Sequence, residues 1–171
     1  MQIFLVGFMG SGKTHWGRLW SADNPFSFVD LDHTIEKEEG KTIAKIFEEK
    51  GEDYFRQLET TTLRSFGENE NIIIACGGGT PCFNNNMQWM NEHGVTVYLR
   101  ATPKQLANRL AKEQEQRPLL HSVDKHELEN FIEQKLNERE AFYSEAQIIF
   151  DEENATVETI KEIINYQSYS A

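Results

Sequence analysis

Gln2-Ile3-Phe4-Leu5-Val6-Gly7-Phe8-Met9-Gly10-Ser11-Gly12-Lys13-Thr14 is the stretch on which the fold turns. An apolar, β-rich run leads straight into G-x-x-x-x-G-K-[ST], and helical spacing takes over at Lys13. Strand, glycine loop and helix in that order are the context in which the pattern builds a cradle for nucleotide phosphates. The glycines let backbone N–H groups turn inward around a β-phosphate, and the helix N-terminus adds the positive end of its dipole. Lys13 is expected to bridge the β- and γ-phosphates. The Thr14 hydroxyl is expected to ligate a Mg²⁺ ion that neutralises charge on the leaving oxygen. The bland alternative is a glycine-rich turn with an incidental lysine, and the flanking strand and helix argue against it.

Outward from this loop, β-rich apolar runs recur at 2–6, 28–30, 72–76, 95–99 and 148–150. Helical spacing fills 13–20, 34–39, 43–66 with a break near Gly51, 85–92, 103–112, 125–143 and 157–166. Strands that read as continuous apolar runs and alternate with helices predict an α/β fold. It has three layers, α/β/α, around a central five-stranded parallel sheet. At 171 residues without repeat or linker, the chain is expected to form one domain over 1–171. The polar segment 113–124, around Arg117-Pro118-Leu119-Leu120, is expected to be a mobile loop.

Charge and cysteines narrow the partners. A formal net charge of -11 disfavours a nucleic-acid backbone or an anionic membrane, so an anionic ligand must meet a focused basic pocket. Two cysteines, Cys76 and Cys82, make no disulfide framework and no zinc spacing. With no basic leader and no long apolar span, a cytoplasmic protein is expected.

Chemistry gathers at the strand ends. Val29-Asp30-Leu31-Asp32 places two carboxylates two residues apart at the end of the second strand, the edge where open α/β sheets bind ligands. Strand alternation points both the same way. One could hold Mg²⁺ through water while the other accepts a proton from an attacking hydroxyl. Alternatively, Asp32 N-caps the next helix. Gly77-Gly78-Gly79 after the third strand permits close backbone approach to a ligand. Arg56, Arg117 and Arg139 are candidate anion contacts in a chain with few cations.

Taken together, the 7–14 loop, Asp30-x-Asp32, Gly51-Glu52 with Phe55-Arg56, Gly77-Gly78-Gly79, Arg117-Pro118-Leu119-Leu120 and Glu138-Arg139 with Tyr143 resemble the shikimate kinase family over nearly the whole chain. The resemblance implies a nucleoside-monophosphate-kinase-like P-loop fold. It also implies transfer of the ATP γ-phosphoryl group to the 3-hydroxyl of shikimate, giving 3-phosphoshikimate and ADP on the way to chorismate. It makes Lys13, Asp32 and Arg117 catalytic, with Asp32 as plausible base. It assigns Thr14 and Asp30 to Mg²⁺, and Gly10, Ser11, Gly12, Lys13, Thr14, His15, Arg109, Arg117 and Asn154 to ATP. Asp32, Arg56, Gly78, Gly79 and Arg139 fall to shikimate, with Arg56 and Arg139 clamping its carboxylate. Phe47 and Phe55 would pack around its ring or serve the core. The substrate region is expected at 32–66 and a lid at 113–124, and a monomer is expected.

His15-Trp16 departs from the small polar and aliphatic pair usual in the family, so a bulkier helix core is expected, with the His15 side chain exposed or structural. Arg109 is assigned to adenine only if the lid is one residue longer than usual, and the late loop at 151–154 is unusually acidic. A related kinase such as a gluconate kinase shares the loop and architecture. A regulatory nucleotide-binding protein is the third reading, and intact Lys13 and Asp32 weigh against it.

Overall fold

The computed structural model describes residues 1–67, 71–112, 124 and 127–170, with side chains through 166. Its elements are β1 (Gln2–Val6), α1 (Lys13–Ala22), β2 (Ser27–Asp30), α2 (Leu31–Glu39), α3 (Ile43–Ser65), β3 (Ile72–Ala75), α4 (Asn86–His93), β4 (Val95–Arg100), α5 (Pro103–Leu110), α6 (Leu128–Tyr143), β5 (Ile148–Asp151) and α7 (Thr159–Ser170).

All five strands run parallel in the order β2-β3-β1-β4-β5. The sheet is apolar on both sides because successive side chains of β1 feed opposite faces. Phe4 and Val6 join an apolar cluster with residues of α2 to α6, among them Leu31, Leu63, Met90, Leu106 and Ile132. Ile3 and Leu5 join the other cluster, with Trp20 of α1 and Ile160 and Ile163 of α7. That division makes the three layers expected from the sequence. The chain turns to opposite sides of β1 for β3 and β4, so a crevice opens past the carboxyl end of β1, where ligands of such sheets bind.

Local chemistry sets the element ends. Thr102 and Gln105 form a reciprocal capping box ahead of Pro103, which opens α5. Gly51, at φ 82° and ψ 171°, breaks α3 where the sequence placed a break. Three elements depart most from the expected boundaries. α2 begins at Leu31 because Asp30 caps it. α7 begins at Thr159, leaving Val157 exposed, and runs to Ser170. α6 is described from Leu128, while residues 125–126 of the expected helix lie outside the described residues.

Candidate active site

The glycine loop turns by conformations that side chains rarely adopt. Gly12 caps α1 at φ 88°, in the left-handed region. Gly7 sits at φ 140°, and a Cβ there would lie 2.7 Å from the Leu99 carbonyl oxygen. Lys13 is buried, and its Nζ donates to the carbonyls of Gly7 and Phe8, both at 2.8 Å, so the ammonium rests over the loop. The Ser11 hydroxyl is buried in the same loop without a hydrogen-bond partner among the described residues.

The two carboxylates reach one cavity by different means from those strand alternation suggested. Asp30 ends β2 and caps α2, its Oδ1 accepting from the His33 N–H at 3.2 Å. Asp32 lies inside the first turn of α2, so the capping alternative for Asp32 is corrected: Asp30 is the cap. The chain changes from strand to helix between them. Both still line a cavity of about 460 Å³ with Lys13, Thr14, Gly77, Gly78 and Arg109. The Thr14 hydroxyl donates to Asp30 Oδ2 at 2.7 Å, bringing a hydroxyl and a carboxylate oxygen together. These are hard oxygen donors of the kind Mg²⁺ takes, and it draws its other ligands from water and phosphate. The residues present therefore fit that ion.

Asp32 is ringed by negative charge. Burial, then the carboxylates of Glu59 and Asp30, push its pKa up to about 7, with Lys13 pulling the other way. Glu59 is a functional candidate that the sequence reading missed. It is 1 % exposed, accepts from Thr80 Oγ1 at 2.5 Å and from Arg56 Nη1 at 2.9 Å, and its own pKa is raised by burial. Its place three residues beyond Arg56 on one helix was the available signal.

Gly77 and Gly78 line the cavity, Gly79 follows them toward Arg56, and Gly77 and Gly79 are too tightly packed for a side chain. A Cβ at Gly77 would lie 2.6 Å from Asp32 Oδ1 and 2.7 Å from Glu59 Oε1. One at Gly79 would lie 2.6 and 2.8 Å from the two terminal nitrogens of Arg56. One at Gly78 would lie 3.4 Å from Arg139 Nη1 and equally far from the Met9 backbone nitrogen. Tyr143 donates to the Gly78 carbonyl at 2.5 Å, fixing the run from α6. The Phe47 and Phe55 rings lie 4.8 Å apart beside Arg56, Phe55 in the core and Phe47 packed against it. Arg56 and Arg139 thus approach adjacent glycines from α3 and α6.

Arg109 Nη1 donates to the Gly10 carbonyl at 3.1 Å, and its Nη2 pairs with Glu152 at 2.5 Å. Glu152 also accepts from the Trp16 indole at 3.1 Å, and Trp16 stacks on Trp20, the bulkier packing expected of this helix. His15 is exposed at the cavity rim with its ring edge-on to Trp16. Asn154 is exposed and does not line the cavity, so Arg109, not Asn154, is the residue brought to the loop. Arg117 and 113–123 of the expected lid lie outside the described residues.

A phosphate cradle alone leaves hydrolysis and transfer equally open, but here the same cavity takes in the Asp32 carboxyl group, and the Arg56 and Arg139 guanidinium groups lie against the glycines that follow β3. The class so defined is a P-loop kinase. The family model for shikimate kinase matches residues 9–167. The chain is 44% identical over 149 residues to a shikimate kinase of Phocaeicola vulgatus, covering 87% of this chain and 85% of that one. The crystal structure of shikimate kinase from Bacteroides thetaiotaomicron superposes with a TM-score of 0.87 at 39% identity, covering 99% and 97% of the two chains. Shikimate kinase from Acinetobacter baumannii in complex with shikimate gives 0.85 at 30% identity, covering 99% and 93%. This chain belongs to the shikimate kinase family.

Proposed function

We infer that Lys13, Asp32, Arg56 and Arg139 divide the work of the reaction that family membership gives this chain, ATP-dependent phosphorylation of shikimate. The observation that carries this reading is Asp32 opening on the phosphate loop's cavity while Arg139 lies against Gly78, which lines it, and Arg56 against the adjacent Gly79.

In this reading the ATP phosphates occupy the loop, and Lys13 exchanges the Gly7 and Phe8 carbonyls for phosphate oxygens. Thr14 and Asp30 hold Mg²⁺, which when bound neutralises charge on the phosphates. Arg56 and Arg139 bind the shikimate carboxylate, a planar anion matched to the guanidinium fork. Gly78 and Gly79 offer backbone N–H groups beside it. Asp32 orients the 3-hydroxyl and takes its proton as the new P–O bond forms. A carboxyl group poised near neutral pH is a stronger base than an ordinary one and is still substantially ionised there. Arg109 contacts the nucleotide from the loop side. Residues 1–171 act as one domain, with 32–66 forming the shikimate side.

The finer setting proposed is a cytoplasmic monomer whose partners are ATP and shikimate. The net charge of -11, which opposes polyanions, supports small-molecule partners over a nucleic acid, and no helix among the described residues is long and apolar enough to cross a membrane.

Asp32→Asn tests the proton-acceptor role. Turnover is expected to fall by about 10²–10⁴-fold while calorimetric ATP affinity stays within about twofold, because the cradle is untouched. Normal turnover in that variant would refute the role.

A further inference from the structure

The Arg56 guanidinium is fixed from more directions than ion pairing requires. Its Nε and Nη2 donate to Glu52 at 3.1 and 2.9 Å, and Nη1 donates to Glu59 at 2.9 Å. Those carboxylates hold its edges. A face is held by the Phe83 ring, whose centroid lies 4.3 Å from Arg56 Cζ, closer than those of Phe55 at 5.2 Å and Phe47 at 5.8 Å.

Phe55 belongs to the apolar core and Phe47 packs against it, so neither needs further explanation. Phe83 belongs to neither apolar cluster and is 36 % exposed, an aromatic ring kept at the surface beside the site. Its position is built by its neighbours. It follows the short 3₁₀ turn Thr80–Cys82, and the chain then passes through left-handed Asn84 and Asn85, at φ 52° and 54°. Asn84 fastens this turn to α3: its Nδ2 donates to the Arg56 carbonyl at 3.2 Å and to Thr60 Oγ1 at 2.9 Å. Arg64 Nη2 in turn donates to the Asn84 carbonyl at 2.8 Å.

We propose that Phe83 is a substrate-positioning residue that stacks on Arg56 and sets the plane of its guanidinium for the carboxylate of the acceptor. The proposal rests on Arg56 being a carboxylate contact. A fork binds a carboxylate well only in the right plane. Glu52 and Glu59 already place two negative charges on Arg56, and a third acid would repel the incoming anion. An aromatic face attracts the cation through its quadrupole and carries no net charge, so it orients Arg56 without that repulsion.

Steady-state kinetics of Phe83→Leu, Phe83→Tyr, Arg56→Ala and the Phe83→Leu/Arg56→Ala double variant test it. Phe83→Leu is expected to raise the shikimate KM about 3- to 10-fold, with the ATP KM within about twofold. Phe83→Tyr, which keeps the ring, restores a shikimate KM within about twofold of the parent. In the Arg56→Ala background, Phe83→Leu adds less than about twofold, because the stacked partner is gone. An unchanged shikimate KM in Phe83→Leu overturns the proposal, as does failure of Phe83→Tyr to restore it or an undiminished effect without Arg56. If Arg56→Ala itself leaves the shikimate KM unchanged, the carboxylate contact fails first, and the proposal falls with it.

Discussion

Asp32 meets carboxylates from three directions: Asp30 at the end of β2, Glu36 on its own helix and Glu59 on α3, with Lys13 of α1 as the counter-charge. In the unfolded chain it ionises near 3.8, and the fold pushes this up to about 7. Between those values the folded state binds the extra proton, so raising the pH through this window removes stability. This strain, which the proposed proton-acceptor role would use, costs the metal-free protein stability. Denaturant titrations of chelated protein should show Asp32→Asn more stable than the parent at pH 8 by roughly 2–4 kcal/mol, the gap closing toward pH 4.5. A gap that does not change with pH would contradict the assignment. For Arg139→Ala, shikimate affinity should fall about 10- to 100-fold with ATP affinity nearly unchanged by titration. Loss of ATP binding instead would move Arg139 to the nucleotide side.

Elements, more than single side chains, decide how tightly the site is held. α1 lies so close to β2 that a Cβ at Gly17 would sit 2.4 Å from Phe28 Cε2 and 3.2 Å from Leu5 Cδ1. Gly17→Ala should therefore lower stability by about 1–3 kcal/mol, read from the urea midpoint, even though alanine favours helices. A stabilised variant would mean that Phe28 swings away freely. This contact left no mark in the sequence, where a glycine inside a helical pattern reads only as a weak spot. The elements themselves were legible, because β1, β3 and β4 are apolar on both faces and the phosphate loop has a fixed spacing. The route by which Asp30 and Asp32 meet was not: alternation and capping compete at a strand end, and the cap fell on the earlier acid. Glu59 was readable in principle from helical spacing. The Trp16–Glu152–Arg109 link joins residues 136 and 43 positions apart, and no local pattern encodes such a pairing.

Across the whole molecule, a strongly acidic chain has gathered cations where two anionic substrates are to meet. Lys13 and Arg109 lie at the loop, Arg56 and Arg139 beyond the glycine wall, and those already engaged are held by carbonyls or acids of the protein. Preorganisation of this kind leaves little rearrangement for the moment of transfer. In the proposed reaction it would also make the acceptor specific, since an alcohol without a carboxylate at the right distance would reach Asp32 but not both arginines. The most direct test is ADP release by the purified protein with ATP and Mg²⁺, comparing shikimate with gluconate and with uncharged polyols. The account predicts ADP release that depends on shikimate and stays at background with the other acceptors. ADP release indifferent to shikimate, or equally fast with gluconate, would contradict it.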